Sequence, residues 1–205
     1  MPFFSKDFSA ALATKESATG GYLNPSSLDD GEQARFCILS EEPLEGFEIW
    51  FTKVDGGMTK RITPEPPDDE LLAQLEKQVG GTVTVRDGKR AIKRCCAFFV
   101  YQWRDPKTAT SGGDVKVFSA NQKTLLAEIE RLAGDPDYAD LSGWDVKVSR
   151  RGRGTDTKYS VDMAPTWRDR DAIGKAVIEA WNTACKAGAS LDALYDGGNP
   201  FGTKA

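Results

Sequence analysis

Apolar and polar residues alternate with a period of two over most of the chain, in short runs closed by glycine, proline or aspartate. The runs are "ARFCIL" (34–39), "FEIWFTKV" (47–54), "MTKRIT" (58–63), "TVTV" (82–85), "AIKRCCAFFVYQWRD" (91–105), "DVKVFS" (114–119) and the two arms of "WDVKVSRRGRGTDTKYSVDM" (144–163). This period is that of strands with one face in a core. Three segments change to a spacing of three and four. "DDELLAQLEKQVGG" begins with acids and ends at glycine, as a short helix does. Ser119-Ala-Asn-Gln122 fits a capping box, followed by Leu125, Leu126, Ile129 and Leu132 on one helical face and Gly134 as C-cap. "RDRDAIGKAVIEAWNTACKAG" places Ile173, Ala176, Val177, Ala180, Trp181 and Ala184 on one face of a helix ending near Gly188.

Many short strands, one helix inserted between late strands and a helix at the end predict a mainly β fold with α elements. The pattern points to an OB-type Greek-key barrel with an inserted helix and a C-terminal amphipathic helix, with a β-sandwich as the alternative. The expected organisation is a flexible lead-in over 1–24, an OB-fold domain over 25–168, the C-terminal helix over 169–188 and a flexible tail over 189–205.

Composition narrows the chemistry. The 205 residues include no histidine, which removes His-containing zinc sites and Ser-His or Cys-His nucleophile systems. Neither a G-x-x-x-x-G-K-[ST] loop nor a strand-borne G-x-G-x-x-G is present. Cys37, Cys95, Cys96 and Cys185 have no C-x-x-C spacing and read as reduced packing residues. No cofactor or metal is expected. A carboxylate–magnesium nuclease would need clustered acids on strand ends, whereas the acids fall mostly in loops and on helix faces. No apolar run approaches the ~18–20 residues of a membrane span, so the expectation is a soluble, cytoplasmic protein.

The net charge of −4 is unevenly placed. Residues 1–83 hold 7 Lys+Arg against 15 Asp+Glu, residues 84–160 hold 15 against 10, and residues 161–205 hold 5 against 6. A basic middle inside an acidic chain is the footprint of a phosphate-binding surface. It culminates in Arg150, Arg151 and Arg153 at the turn of the late hairpin, with Lys147 and Lys158 on the polar faces of its arms. Lys60 and Arg61 on "MTKRIT", and Lys93, Arg94 and Arg104 on the long strand, join them as candidate phosphate contacts.

Among the aromatics, Trp50 lies on the polar side of "FEIWFTKV", with Glu48 and Thr52, as either a partner contact or a lid on the core edge. The long strand presents Phe99, Tyr101 and Trp103 on one face and Phe98 and Val100 on the other. Either both faces are covered, for instance by the terminal helix, or one aromatic row binds a partner. Aromatics interleaved with cations suit single-stranded nucleic acid, whose bases stack for ~1–3 kcal/mol each while cations track the phosphates. Trp50, Tyr101 and Trp103 are the candidate platforms.

The run "DVKVFSANQKTLLAEIERLAGDPDYADLSGWDVKVSRRGRGTDTKYSV" resembles bacteriophage OB-fold single-stranded-DNA-binding proteins. The shared features are a strand, a helix opened by "QK", and a hairpin with a Gly-Arg-Gly tip followed by Thr-x-Tyr; "DGEQARFCIL" and "EGFEIWF" resemble the family's first two strands. The resemblance covers residues 25–165. It implies non-catalytic coating of single-stranded DNA in replication, recombination or repair, and a tail that recruits replication proteins such as a polymerase or helicase. Some phage relatives carry a zinc-binding Cys/His insertion, which this chain lacks. An RNA-binding OB protein, or a protein-interaction module using Trp50 and the terminal helix, are the competing readings.

Overall fold

A computed structural model describes residues 21–107, 109, 112–138, 141–164 and 171–202. Most of the expected lead-in (1–20), residues 108, 110, 111, 139, 140 and 165–170, and the last three residues lie outside the described set. The fold is mainly β, with three α-helices among the described residues. The elements are β1 (Gly21–Leu23), β2 (Gln33–Ile38), β3 (Leu44–Lys53), β4 (Met58–Thr63), α1 (Asp69–Val79), β5 (Gly81–Val83), β6 (Val85–Arg86), β7 (Lys89–Arg90), β8 (Ile92–Trp103), β9 (Gly113–Ala120), α2 (Lys123–Ala133), β10 (Asp145–Arg151), β11 (Lys158–Ala164) and α3 (Asp171–Lys186).

Strand β8 organises the sheet. One edge pairs antiparallel with β9, from Cys96↔Ala120 to Trp103↔Gly113. The other edge is shared: its first half pairs with β3 (Ile49↔Ile92 to Leu44↔Ala97) and its second half with β2 (Ile38↔Val100 to Phe36↔Gln102). β10 adds antiparallel to β2, and β11 to β10. β3 leaves β8 to form an arm with β4 and β5, and β6–β7 is a separate two-stranded hairpin.

Both faces of β8 are covered, which explains why its aromatics read as apolar on both sides. On one face Phe98 stacks on Phe118 with centroids 4.8 Å apart, and Phe36, Val100, Val146, Val148 and Leu125 complete the cluster under α2. Such ring pairs contribute ~0.5–1.5 kcal/mol beyond area burial. On the other face Phe99 meets Trp181 at 5.1 Å, and Tyr101 and Trp103 pack with Cys37 and Val177. α3 is therefore the cover. A separate cluster, Ile49, Phe51, Leu72 and Leu75, packs α1 onto the arm.

Local signals account for both ends of α1, but not for the start of α2. The Asp68 side chain accepts from the Leu71 N–H at 2.8 Å and Gly80 (φ 65°) closes α1 in the left-handed region. The capping box expected at Ser119 does not form. Ser119 stays in β9 opposite Ala97, and α2 starts at Lys123 after Gln122, which makes no side-chain cap bond. Ladder pairing through Ala120 outcompetes the local cap.

The tail expected to be flexible over 189–205 is packed over 189–202. Leu194 and Pro200 are buried, Phe201 meets Phe99 edge-on at 5.6 Å, and the Tyr195 hydroxyl donates to the Glu45 carbonyl at 2.7 Å. Glycine and proline here serve turns rather than disorder: the Ser190 N–H donates to the Pro200 carbonyl, closing a loop on itself.

Candidate nucleic-acid interface

The late hairpin is built as its alternation predicts. Val146, Val148 and Val161 are buried on the α2 side. Lys147 opposes Asp162, Ser149 opposes Ser160, and Arg151 opposes Lys158 at the last pair before the turn. Asp145, fully buried, accepts from Arg35 Nε at 2.7 Å and ties the hairpin to β2.

The three tip arginines do not act alike. Arg150 shares the phase of Val146 and Val148 and turns inward. Its Nη1 donates to the carbonyls of Ser26 at 2.8 Å and Leu28 at 2.5 Å, while its N–H donates to the Glu32 carbonyl and its own carbonyl accepts from Gly31. Arg150 is thus a brace between the hairpin and the 24–32 loop. Arg151 and Arg153 are exposed, as is Lys158, and none of the three makes an ion pair among the described residues. Gly152 (φ 80°) donates its N–H to Asp30 Oδ1 at 2.8 Å, and a Cβ there would stand 2.5 Å from the Asp156 carbonyl. The tip glycine is required by the hairpin's own closure.

On the arm, Glu48 is buried and accepts three hydrogen bonds: Lys60 Nζ at 2.8 Å, Trp50 Nε1 at 2.6 Å and Asn121 Nδ2 at 2.6 Å. Burial pushes its carboxyl up, but the bond and charge of Lys60 and the bonds from Trp50 and Asn121 outweigh this and hold it below the ordinary carboxylate value. The network fixes the half-buried Trp50 indole by its edge, and Lys60 Nζ lies 5.8 Å from the ring centroid, within cation–π range.

The remaining sequence candidates are dispersed. Tyr101 and Trp103 are 4% and 2% exposed, so α3 and Ala109 close off the row expected to stack bases. Arg61 donates to the Lys60 carbonyl and lies under Gly197 of the packed tail. Lys93 and Arg94 are exposed at the start of β8, the Arg94 guanidinium 5.4 Å from the Phe47 ring centroid. Arg104, exposed at the far end, lies 3.6 Å from the half-buried Asp114. The structure thus brings Trp50 and Lys60 together with Lys93 nearby, and Lys147, Arg151, Arg153 and Lys158 together on the hairpin. These are two groups, at opposite ends of β8. Hairpin β6–β7 adds exposed Arg86, Lys89 and Arg90 to the first group. Their signal in the sequence is a set of three cations flanking Asp87-Gly88.

Burial pushes the thiols of Cys95 and Cys96 up to about 11 and about 12, so neither is a thiolate at neutral pH. Among the described residues no three Cys, Asp or Glu side chains form a metal-binding group, and no helix is long and apolar enough to cross a membrane.

The sequence matches no protein-family model and no curated protein.

Proposed function

We propose that this protein binds single-stranded DNA without catalysing a reaction on it, coating the strand during phage replication, recombination or repair. The observation that carries the reading is the cross-strand pair Arg151↔Lys158, with Arg153 beside it at the braced tip. Like charges directly opposite each other destabilise a hairpin. A polyanion threaded past the tip relieves that repulsion, and counterion release adds to the gain. Phosphate contact of this kind reads no base edge, so sequence preference is weak.

The element order supports the OB-type reading. β2 and β3 run as one interrupted strand along β8, followed by β9, α2, β10 and β11, which gives strand, strand, strand, helix, strand, strand. α2 packs against β11 and shares the core of β8, β9 and β10, in a sheet whose path runs from β1, parallel to β9, to β11. Trp50, clamped by Glu48 and flanked by Lys60, is the proposed stacking platform. A recruiting role for the tail toward a polymerase or helicase would require Phe201 to leave Phe99.

Electrophoretic retention on poly-dT and poly-U, with a magnesium-dependent cleavage control, tests the reading. Salt-sensitive retention of poly-dT without cleavage is the expected result. Preference for poly-U transfers the same surface to RNA. Cleavage, or retention of neither polymer, rejects it.

A further inference from the structure

The β6–β7 hairpin repeats, in miniature, the charge arrangement of β10–β11. Its register is Val85↔Arg90 and Arg86↔Lys89, so again an arginine faces a lysine at the last pair before the turn. The turn residues Asp87 (φ 51°) and Gly88 (φ 74°) both lie in the left-handed region, the geometry that makes a tight two-residue hairpin and holds the two cations side by side. Arg90 is paired with Asp69 at 2.6 Å, whereas Arg86 and Lys89 have no ion pair among the described residues. All three are exposed, and neither β6 nor β7 pairs with the main sheet. Exposed Lys93 and the Trp50–Lys60 pair lie on the adjoining strands.

The two cationic hairpins are far apart. Antiparallel pairing of β8 with β2, and of β2 with β10, puts the β10–β11 tip at the Trp103 end of β8, while β7 leads directly into its Ile92 end. The ten residue steps from Lys93 to Trp103 correspond to about 33 Å of strand. The face between them is closed by α3 and the packed tail over Phe99, Tyr101 and Trp103. A nucleic-acid strand therefore meets two separate charged contacts rather than one continuous aromatic groove.

We propose that the β6–β7 hairpin is a second phosphate contact for the same strand, so that binding is bivalent and has a length threshold. The inference rests on the single-stranded-DNA reading above and specifies its substrate as a strand long enough to bridge both hairpins. An oligo-dT of about 4 nucleotides covers roughly 14 Å at duplex spacing and reaches one hairpin. One of about 16 nucleotides covers roughly 54 Å and reaches both. Once one hairpin is engaged, the second contact gains the effective concentration that linkage supplies, which raises avidity by about a hundredfold or more.

The test is fluorescence anisotropy of both oligomers with the full chain, R86A/K89A and R151A/R153A. R86A/K89A leaves the Arg90–Asp69 pair intact, and its far-UV spectrum and melting temperature are checked against the parent. Each variant is expected to lose about tenfold or more on the long oligomer and at most about twofold on the short one, where the intact hairpin still holds it. Equal losses at both lengths, or no loss on the long oligomer with R86A/K89A, overturn the bivalent arrangement while leaving single-stranded-DNA binding standing. A parent protein that binds neither oligomer overturns the functional reading itself.

Discussion

At the residue scale, three arginines in four positions have two different roles, and mutation separates them. Arg150 satisfies carbonyls of the 24–32 loop, so R150A leaves those acceptors short and should lower stability by about 1–3 kcal/mol in urea denaturation. R151A/R153A touches only exposed cations. It should keep the urea midpoint and reduce the salt slope of oligo-dT binding by about 0.7 per lost phosphate contact. An unchanged slope would remove the tip from the interface. Glu48 makes a pH prediction. Its carboxyl titrates below the ordinary value of 4.5 when folded, so its contribution is complete above that value and is lost as pH falls through the folded pKa. The parent should therefore weaken below pH 4.5, and E48Q should lack that part of the acid dependence while being less stable at neutral pH. Trp50 fluorescence, taken as the difference between the parent and W50F, should be quenched by oligo-dT; an identical quench in W50F would reassign the platform.

At the element scale, the hairpins are the exposed basic devices, and α3 with the tail is a structural layer. Truncation after Gly188 removes Leu194, Pro200 and Phe201 from the sheet and exposes Phe99 and part of Trp181. Burying side chains of this size stabilises by ~1.5–3 kcal/mol each, so the truncated chain should melt clearly lower. Y195F removes one hydroxyl donor to the Glu45 carbonyl and should cost about 1 kcal/mol. A truncated protein with the parent's melting curve would show that residues 189–202 detach readily, which is what a recruiting tail needs. α1 has the same relation to the arm. L72A opens a cavity beside Ile49 and Phe51 and should cost about 2–5 kcal/mol, read by hydrogen exchange at α1 and β4 before the main sheet.

At the scale of the whole molecule, the acidic and basic segments of the chain are interleaved in space. The loop bearing Asp29, Asp30 and Glu32 braces the arginine tip, and Asp69 of the acidic α1 pairs with Arg90. The net charge of −4 therefore coexists with two local cationic hairpins, and association with a polyanion depends on those hairpins rather than on the mean field. β8 couples the parts, since its two faces meet the α2 and α3 layers while its edges pair with β9, with β3 of the arm and with β2, through which the late hairpin joins. Ionic-strength titration of association should show a slope set by the hairpin cations together, falling stepwise as each pair is neutralised.

Period-two alternation and glycine turns were enough, from the sequence alone, to place most of the strands, the three helices among the described residues and the arginine-tipped hairpin, whereas β1 fell within the expected lead-in. These are local properties, decided by side-chain phase and backbone sterics within a few residues. The partners of each face were not local. Whether Tyr101 and Trp103 meet solvent depends on α3, more than sixty residues downstream, and Phe201 reaches Phe99 from the far end of the chain. Arg150 and Arg151 are neighbours in sequence, yet the pleat sends one into the 24–32 loop and leaves the other exposed, a division that follows from the phase of Val146 and Val148 once the buried side is known. Ser119 carries a helix-cap signature that ladder pairing overrode. The separation of the cations into two ends of β8 was likewise invisible in a charge count, because linear charge carries no information about strand direction; only the antiparallel register of β2, β8 and β10 decides which end of the sheet each hairpin occupies.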